Sequence, residues 1–167
     1  TMHGSVLSET FVRLRAEPLA GNRELLLETA VTGWHVGDEI ILPDTRHLNP
    51  VSKKSYEFEP HWEKFTIEAI EGDRIKLTEP LRFDHLGARD VDGTPTVMED
   101  GTRFLPHVAN LTRNVVFRSE NTDGVRGHAL FLHRAQKDVR YVRFQDLGRT
   151  EAAPINNGAR DSDGNVT

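Results

Sequence analysis

The sequence predicts an all-β fold with a coiled, repetitive segment in its second half, and three observations support this. Apolar residues rarely recur with the 3.6-residue period of an amphipathic helix. Short apolar runs are instead bounded by Gly, Asp or Pro, as strands joined by turns are. From residue 110 onward a strand motif recurs after 24 residues, and repetition on this scale is typical of solenoids.

The first strands are predicted from alternation and from their breakers. The mostly apolar run at residues 39–42 (EIIL) ends before a proline. Residues 64–70 and 74–78 alternate apolar and polar side chains, and the turn sequence EGD separates them, so 64–78 is predicted to be an antiparallel hairpin. Residues 23–29 contain three successive leucines, which fit a buried strand as well as a helical turn.

The repeat in the second half predicts stacked rungs. RNVVF at 113–117 is echoed by KDVRY at 137–141, and a further apolar strand is predicted at 129–132 (ALFL). In a solenoid each rung buries its inward side chains on the rung below it. The stacked pairs of one parallel ladder would be Val115 with Val139 and Phe117 with Tyr141. The alternative is a pair of similar strands in an ordinary sandwich.

Composition excludes several functions. The 167-residue chain has a formal net charge of -5 and a pI near 5.9, which argues against nucleic acid or an anionic membrane as its partner. It has no cysteine, so disulfides, thiolate catalysis and cysteine-bound zinc are excluded. No apolar run approaches the roughly 20 residues that span a bilayer, so we expect no membrane insertion. Both ends lack a closing element, and we expect a segment of a larger protein.

The catalytic candidates lie within or beside two long predicted loops, 43–60 and 88–106, since loops of this length are often functional. The catalytic candidates combine carboxylates with imidazoles: Asp84, His85, Asp90 and His107. Glycoside hydrolysis needs two carboxyl groups, and a polysaccharide lyase needs a base. His85 and His107 are predicted to line one cleft between the loops. Scattered surface histidines and a solvated loop are the simpler interpretation.

Candidate ligand-binding residues are one tryptophan and three arginines. Arg82, Arg89 and Arg103 are predicted to bind acidic sugar groups through bidentate hydrogen bonds. Trp62, in a loop beside Pro60, is predicted to be an exposed platform for sugar stacking, whereas Trp34 is predicted to pack in the core.

The tail offers the one candidate metal site. DSDGN at 161–165 resembles part of a calcium loop through Asp161, Asp163 and Asn165, but it lacks the downstream glutamate. A flexible tail or an improvised cap at 150–167 is the alternative. We predict no other cofactor.

Several motifs together carry a family resemblance. WHVGDEII at 34–41 resembles the W-x-x-G-D-x-I signature of G8-domain proteins. Further segments resemble the family in the same order along the chain: EKFTI at 63–67, the leucine, proline and DHLG pattern at 77–87, VANLTRNV at 108–115, GHA at 127–129 and FQDLGR at 144–149. TMHG at 1–4 resembles the segment near the end of the G8 unit. The family includes hyaluronan-binding and hyaluronan-depolymerising proteins of animal cell surfaces, fibrocystin-like proteins and many microbial secreted proteins.

The resemblance implies a right-handed parallel β-helix segment with a few antiparallel hairpin strands near the N-terminal half. It also implies an extracellular or cell-surface location, with a polysaccharide and the rest of the parent solenoid as partners. Unlike the animal hyaluronidases, the chain has no large insert after residue 4, and we expect a microbial member. The predicted function is a glycan-binding or scaffold module. The alternative is part of a hyaluronidase-like hydrolase or lyase whose catalytic residues lie partly outside this chain.

The resemblance also divides the chain into four predicted parts. Residues 1–80 would be the C-terminal part of a G8-like β region, and 81–109 a loop-rich connection. Residues 110–149 would form the parallel rungs, and 150–167 a polar tail.

Overall fold

The computed structural model describes residues 1–46 and 59–148, which contain ten β-strands and no helix. In chain order the strands are β1 (Met2–His3), β2 (Phe11–Arg13), β3 (Glu24–Leu26), β4 (Glu39–Leu42), β5 (Glu63–Glu71), β6 (Arg74–Leu77), β7 (His107–Asn110), β8 (Val115–Arg118), β9 (Val139–Arg140) and β10 (Val142–Gln145). Within this described part no helix capable of crossing a membrane is present. The all-β prediction is confirmed.

The contacts divide the chain into two compact units. One is Ser5–Asn114, and the other joins Thr1–Gly4 to the residues from Val115 onward. The Ser5–Asn114 unit holds a six-stranded sheet in the order β2-β7-β4-β5-β6-β3, and every pair in it is antiparallel. The main sheet is therefore not a parallel β-helix, and it contains the antiparallel strands expected in the N-terminal half. The predicted four-part division stays a prediction.

The predicted hairpin at 64–78 is confirmed. Strands β5 and β6 pair antiparallel from Glu71 with Arg74 back to Ile67 with Leu77, and a register shift lies between Ile67 and Ala69. Gly72 has a φ of 62°, which a glycine adopts without the strain that a Cβ would add. Residues 23–29 contain strand β3, so the strand alternative is the one that forms.

The core of the Ser5–Asn114 unit consists of the inward side chains of these strands. Burial alternates along β5 and β6, as a sheet with one covered face requires. The most enclosed apolar residues are Leu14, Leu25, Leu27, Ile40, Leu42, Ile67, Ile75, Leu77 and Val108. Each such side chain contributes roughly 1.5–3 kcal/mol by burial.

The WHVGDEII segment forms a turn that leads into β4. Trp34 is buried, as predicted, and its indole N–H donates to the Glu9 carbonyl oxygen at 2.8 Å. Gly37 has a φ of 91° in the turn. The buried Asp38 carboxylate accepts the His35 N–H at 2.9 Å and the Asn110 amide at 2.7 Å. The motif thus closes a turn and ties β4 to β7, which is a structural role.

The other unit contains two separate two-stranded parallel sheets, β1 with β9 and β8 with β10. The predicted parallel direction is present, but the predicted ladder is wrong. Val115 pairs with Val142 and Phe117 with Phe144 in the β8–β10 sheet, whereas Val139 pairs with Met2 in the β1–β9 sheet. The spacing between paired residues 115 and 142 is 27, not 24.

A corner at Tyr141 explains the changed register. Tyr141 has a φ of 55°, so the backbone turns between β9 and β10 and the two strands join different sheets. Left-handed conformations of bulky residues are uncommon, and no turn residue marks this one in the sequence. The strand predicted at 129–132 is also wrong. Those residues pair with no strand, and Leu130 and Leu132 are exposed.

Candidate functional site

A cleft of about 380 Å³ lies in the Ser5–Asn114 unit and is the first candidate site. Three segments line it: 44–46, 86–89 and 104–106. We call it the Arg89 cleft. It combines two arginines with the phenyl ring of Phe104, which is 52% exposed. A concave surface with an apolar face and a few fixed polar groups is the usual form of a ligand site.

The segment that carries Phe104 is held by short-range pairing. Isolated bridges join Arg89 to Pro95 and Val97 to Arg103, so the predicted 88–106 loop is folded back on itself. The Ala88 N–H donates to the Phe104 carbonyl oxygen at 2.9 Å. That oxygen lies so close to Gly87 that a Cβ there would overlap it. Gly87 therefore allows the close approach that fixes Phe104 in the cleft wall.

Glu17 positions the arginines predicted to bind sugar. Its Oε2 accepts a hydrogen bond from Arg89 Nη2 at 2.7 Å, and its Oε1 lies 2.6 Å from Arg89 Nη1 and 3.4 Å from Arg103 Nη2. The Gly87 N–H also donates to this carboxylate, at 2.9 Å. The hydrogen bond from Arg89 is the main reason that the pKa of Glu17 lies below its usual value. The carboxylate therefore stays ionised and holds Arg89 still.

A second ion pair, between Arg46 and Asp44, also lines the Arg89 cleft. Arg46 Nη2 lies 2.7 Å from Asp44 Oδ2, and the same carboxylate oxygen accepts the His61 N–H at 2.9 Å. The hydrogen bond from Arg46 is the largest of the effects that hold the pKa of Asp44 well below its usual range. The two arginines that line the cleft, Arg46 and Arg89, are thus both already paired with carboxylates.

A second cleft, of about 360 Å³, is also lined by Phe104 and is called the His107 cleft. Its walls include Phe11 and Arg13 of β2, Glu28, and His107 of β7. Phe11 is 59% exposed, and its ring meets that of His107 edge-on with 5.7 Å between centroids. Phe104 and Leu105 line both clefts.

Glu63 and His85 form a buried pair that the sequence motifs only half revealed. His85 is 0% exposed, and its two ring nitrogens lie 2.9 Å from the Pro43 carbonyl oxygen and 3.0 Å from Glu63 Oε2. The Glu63 carboxylate also accepts the N–H groups of Arg82 and Phe83. Burial alone would raise the pKa of Glu63, but these donors together hold it below its usual value.

The four catalytic candidates do not gather at one place. His107 lines its own cleft, whereas His85 is fully enclosed, so the predicted cleft shared by these two histidines does not form. The physical reason is that both nitrogens of His85 are engaged inside the protein. Asp84 accepts the Ala20 N–H at 2.8 Å, and Asp90 accepts the Thr96 hydroxyl at 2.9 Å.

The remaining predicted residues are distributed as follows. Arg89 and Arg103 share Glu17, but Arg82 lies elsewhere, with its guanidinium 5.3 Å above the Phe83 ring. Trp62 is 46% exposed, as predicted. Asp161, Asp163 and Asn165 lie outside the described residues. Within 1–46 and 59–148 no group of three His, Asp or Glu side chains could hold a metal ion.

Sequence analysis missed Glu17, Glu63 and Phe104. For Glu63 a signal exists: it falls in the same alternating position as Phe65 and Ile67, which places a carboxylate on the buried face. Glu17 stands in no motif and meets its partners more than 70 residues later. Phe104 is a single aromatic residue in a polar loop, with nothing in the sequence to mark it.

Comparison with known proteins places the chain in a family. No family model matches it. The chain is 34% identical over 127 residues to Fibrocystin-L from Homo sapiens, across 73% of this chain and 3% of that protein. It is 30% identical over 133 residues to a G8 domain-containing protein from Dictyostelium discoideum, across 78% of this chain and 10% of that protein. The chain thus spans a tenth or less of the length of these relatives.

Among solved structures, the chain is similar to the Gp54 tailspike of Acinetobacter baumannii bacteriophage AP22, solved in complex with a capsular saccharide. The TM-score is 0.40 at 11% identity, over 65% of this chain and 15% of that one, which is too low to indicate a shared fold. The assignment therefore depends on the sequence relatives, which align over most of the chain. The chain belongs to the G8-domain family.

Proposed function

We propose that this chain is a glycan-binding module of an extracellular or cell-surface protein, and that the Arg89 cleft receives the sugar. The observation that carries the proposal is that half-exposed Phe104 and Arg89, which is paired with Glu17, line one cleft. A sugar ring has a C–H face that packs on an aromatic ring and hydroxyl groups that need fixed polar partners. The Arg89 cleft offers both.

The size of the cleft suits one small part of a polysaccharide. Its volume of about 380 Å³ lies near the lower end of the range of small-molecule pockets, roughly 300–1,000 Å³. Phe104 presents its ring at little entropic cost, because the backbone on both sides is held by Ala88 and by strand β7. A pre-positioned ring supports weak but specific binding of a carbohydrate.

The charges in the cleft favour recognition of hydroxyl groups. Two nitrogens of the Arg89 guanidinium face Glu17. The pair of donors that would bind a sugar carboxylate in a bidentate way is therefore already engaged. This differs from the sequence-based expectation that the arginines bind acidic groups directly. A guanidinium group that is paired with a carboxylate can still donate hydrogen bonds to sugar hydroxyls, and the carboxylate can still accept them. Binding by such neutral pairs should depend only weakly on salt concentration.

The test is a glycan array followed by titration calorimetry with the purified chain. Hyaluronan, pectate and dextran are suitable probes, because the first two are acidic and the third is neutral. Retention of at least one of them, weakened at least tenfold by Phe104→Ala, would support the proposal. Met98→Ala is the matched control, since Met98 is about equally exposed and lies in the same folded segment but lines neither cleft.

Two outcomes would contradict the proposal. The first is that none of the three polymers is retained at high micromolar protein. The second is binding that Phe104→Ala and Met98→Ala weaken equally. Shortening of a polymer during the experiment, seen by size-exclusion chromatography, would instead favour the polysaccharide-degrading alternative.

A further inference from the structure

We infer that the Arg89 and His107 clefts act as neighbouring subsites for one linear polysaccharide, with Phe104 between them. This inference rests on the proposed glycan-binding function and extends it to the length of the ligand. The site would select an oligosaccharide segment rather than a single terminal sugar.

The shared wall is the first argument. Phe104 and Leu105 line both clefts, so a ligand leaving one cleft across the Phe104 ring enters the other. Each cleft alone, at about 380 and 360 Å³, is small for a ligand site, whereas the two together match a larger ligand.

The exposed rings are the second argument. Phe11 and Phe104 are 59% and 52% exposed although strands and bridges hold their backbones. Large apolar side chains grouped on a surface commonly mark a binding site. Here Phe11 lines the His107 cleft and Phe104 lines both clefts, so each cleft contains an exposed aromatic residue for a sugar to pack on.

Both clefts contain the same kind of polar group. In the Arg89 cleft, Arg89 is held by Glu17, and in the His107 cleft, Arg13 is held by Glu28 with Arg13 Nε 2.8 Å from Glu28 Oε2. Each cleft is therefore lined by an arginine that is paired with a carboxylate and can contact sugar hydroxyls. The His107 ring packs edge-on against Phe11 and supports it from one side.

The experiment is titration of the full chain with size-graded oligosaccharides, from two to ten sugars, cut from hyaluronan, pectate and dextran. We expect the Kd to fall at least tenfold between the shortest and the longest oligosaccharides that bind. Phe11→Leu, which keeps an apolar side chain in β2 but removes the ring, should abolish this gain while leaving the Kd for the shortest ligand unchanged. Phe104→Ala should weaken binding at every length.

The outcomes separate this inference from the proposed function. Absence of binding at every length would overturn both. Binding with equal affinity for short and long ligands, or a length-dependent affinity that Phe11→Leu leaves intact, would overturn the two-cleft inference alone. The thermal midpoint of Phe11→Leu should match that of the parent chain, which confirms that the folded state is being titrated.

Discussion

Glu63 Oε2 and His85 Nε2 lie 3.0 Å apart in the interior of the Ser5–Asn114 unit. The Pro43 carbonyl oxygen lies 2.9 Å from His85 Nδ1, so both ring nitrogens of this buried histidine face hydrogen-bond acceptors. The same carboxylate accepts the N–H groups of Arg82 and Phe83. One buried side chain therefore fastens the segment after β6 to the start of β5.

Glu63→Ala should strongly destabilise the chain, because it leaves buried donors without an acceptor. We expect a loss of about 3–5 kcal/mol in the free energy of unfolding, typical of breaking a buried charged pair. Urea denaturation followed by circular dichroism measures it. Glu68→Ala is the control on the same strand: its salt bridge to Lys76 is exposed, so the expected loss is below about 1 kcal/mol. Equal losses in the two variants would contradict the role given to Glu63.

Stability should fall in acid, and Glu17 should contribute to the fall. Its pKa is lowered in the folded state, chiefly by Arg89, so the unfolded carboxyl binds protons first as the pH drops. The stabilisation is complete above the ordinary pKa of a glutamate and is lost as the pH falls through the lowered value. The denaturation midpoint should therefore decline as the pH is lowered from 7 to 3. This decline should be less steep in Glu17→Gln than in the parent chain. Glu99→Gln changes an exposed carboxylate in the 88–106 segment, and its denaturation midpoint should decline with pH as that of the parent chain does.

Gly87→Ala should disturb the Arg89 cleft, because a Cβ at this position overlaps the Phe104 carbonyl oxygen. We expect a loss of about 1–3 kcal/mol in the free energy of unfolding, as for other overpacked sites. Hydrogen exchange should report loss of protection at the Ala88 amide, which donates to Phe104. Gly127→Ala is the comparison, since the atom nearest to a Cβ at this position would lie at an ordinary van der Waals distance of 3.7 Å. Unchanged protection at Ala88 would argue against the overlap.

The register of the parallel pair β8–β10 is testable with engineered cysteines, because the chain contains none. Phe117 and Phe144 are paired residues with stacked rings, 5.6 Å between centroids. Paired residues on adjacent strands are roughly 4.8 Å apart, which suits a disulfide. Phe117→Cys with Phe144→Cys should oxidise to an intramolecular disulfide, seen as a mobility shift without reductant. Phe117→Cys with Tyr141→Cys should not, and the reverse pattern would restore the 24-residue ladder.

The sequence predicts those parts of the fold in which neighbours along the chain decide the structure. Alternation over 64–78 and the EGD turn are local, and the hairpin forms as expected. No local sequence feature indicates the corner at Tyr141. The sequence repeat therefore predicts a strand pairing that is three residues out of register. The candidate site depends on residues far apart in sequence. Glu17 meets Arg89 across 72 residues, and only the folded sheet brings them together.

The motifs that identified the family proved to be structural. Trp34 and Asp38 close a turn, and Glu63 and His85 fasten a loop. Residues in such roles are constrained by packing and by buried hydrogen bonds, so they remain recognisable when a ligand site changes. This explains why the sequence indicates the family more clearly than it indicates what the family member binds.

Within residues 1–46 and 59–148, strand β1, at Met2–His3, pairs with β9, at Val139–Arg140, and with no other strand. On the ribosome, the first strand therefore emerges long before its partner exists, while all strands of the Ser5–Asn114 unit are made in between. The antiparallel sheet is free to fold during synthesis, but β1 can pair with β9 only after residue 140 has been made. Refolding should accordingly show an early step reported by Trp34 and a later step reported by the backbone amides of Met2 and Gly4.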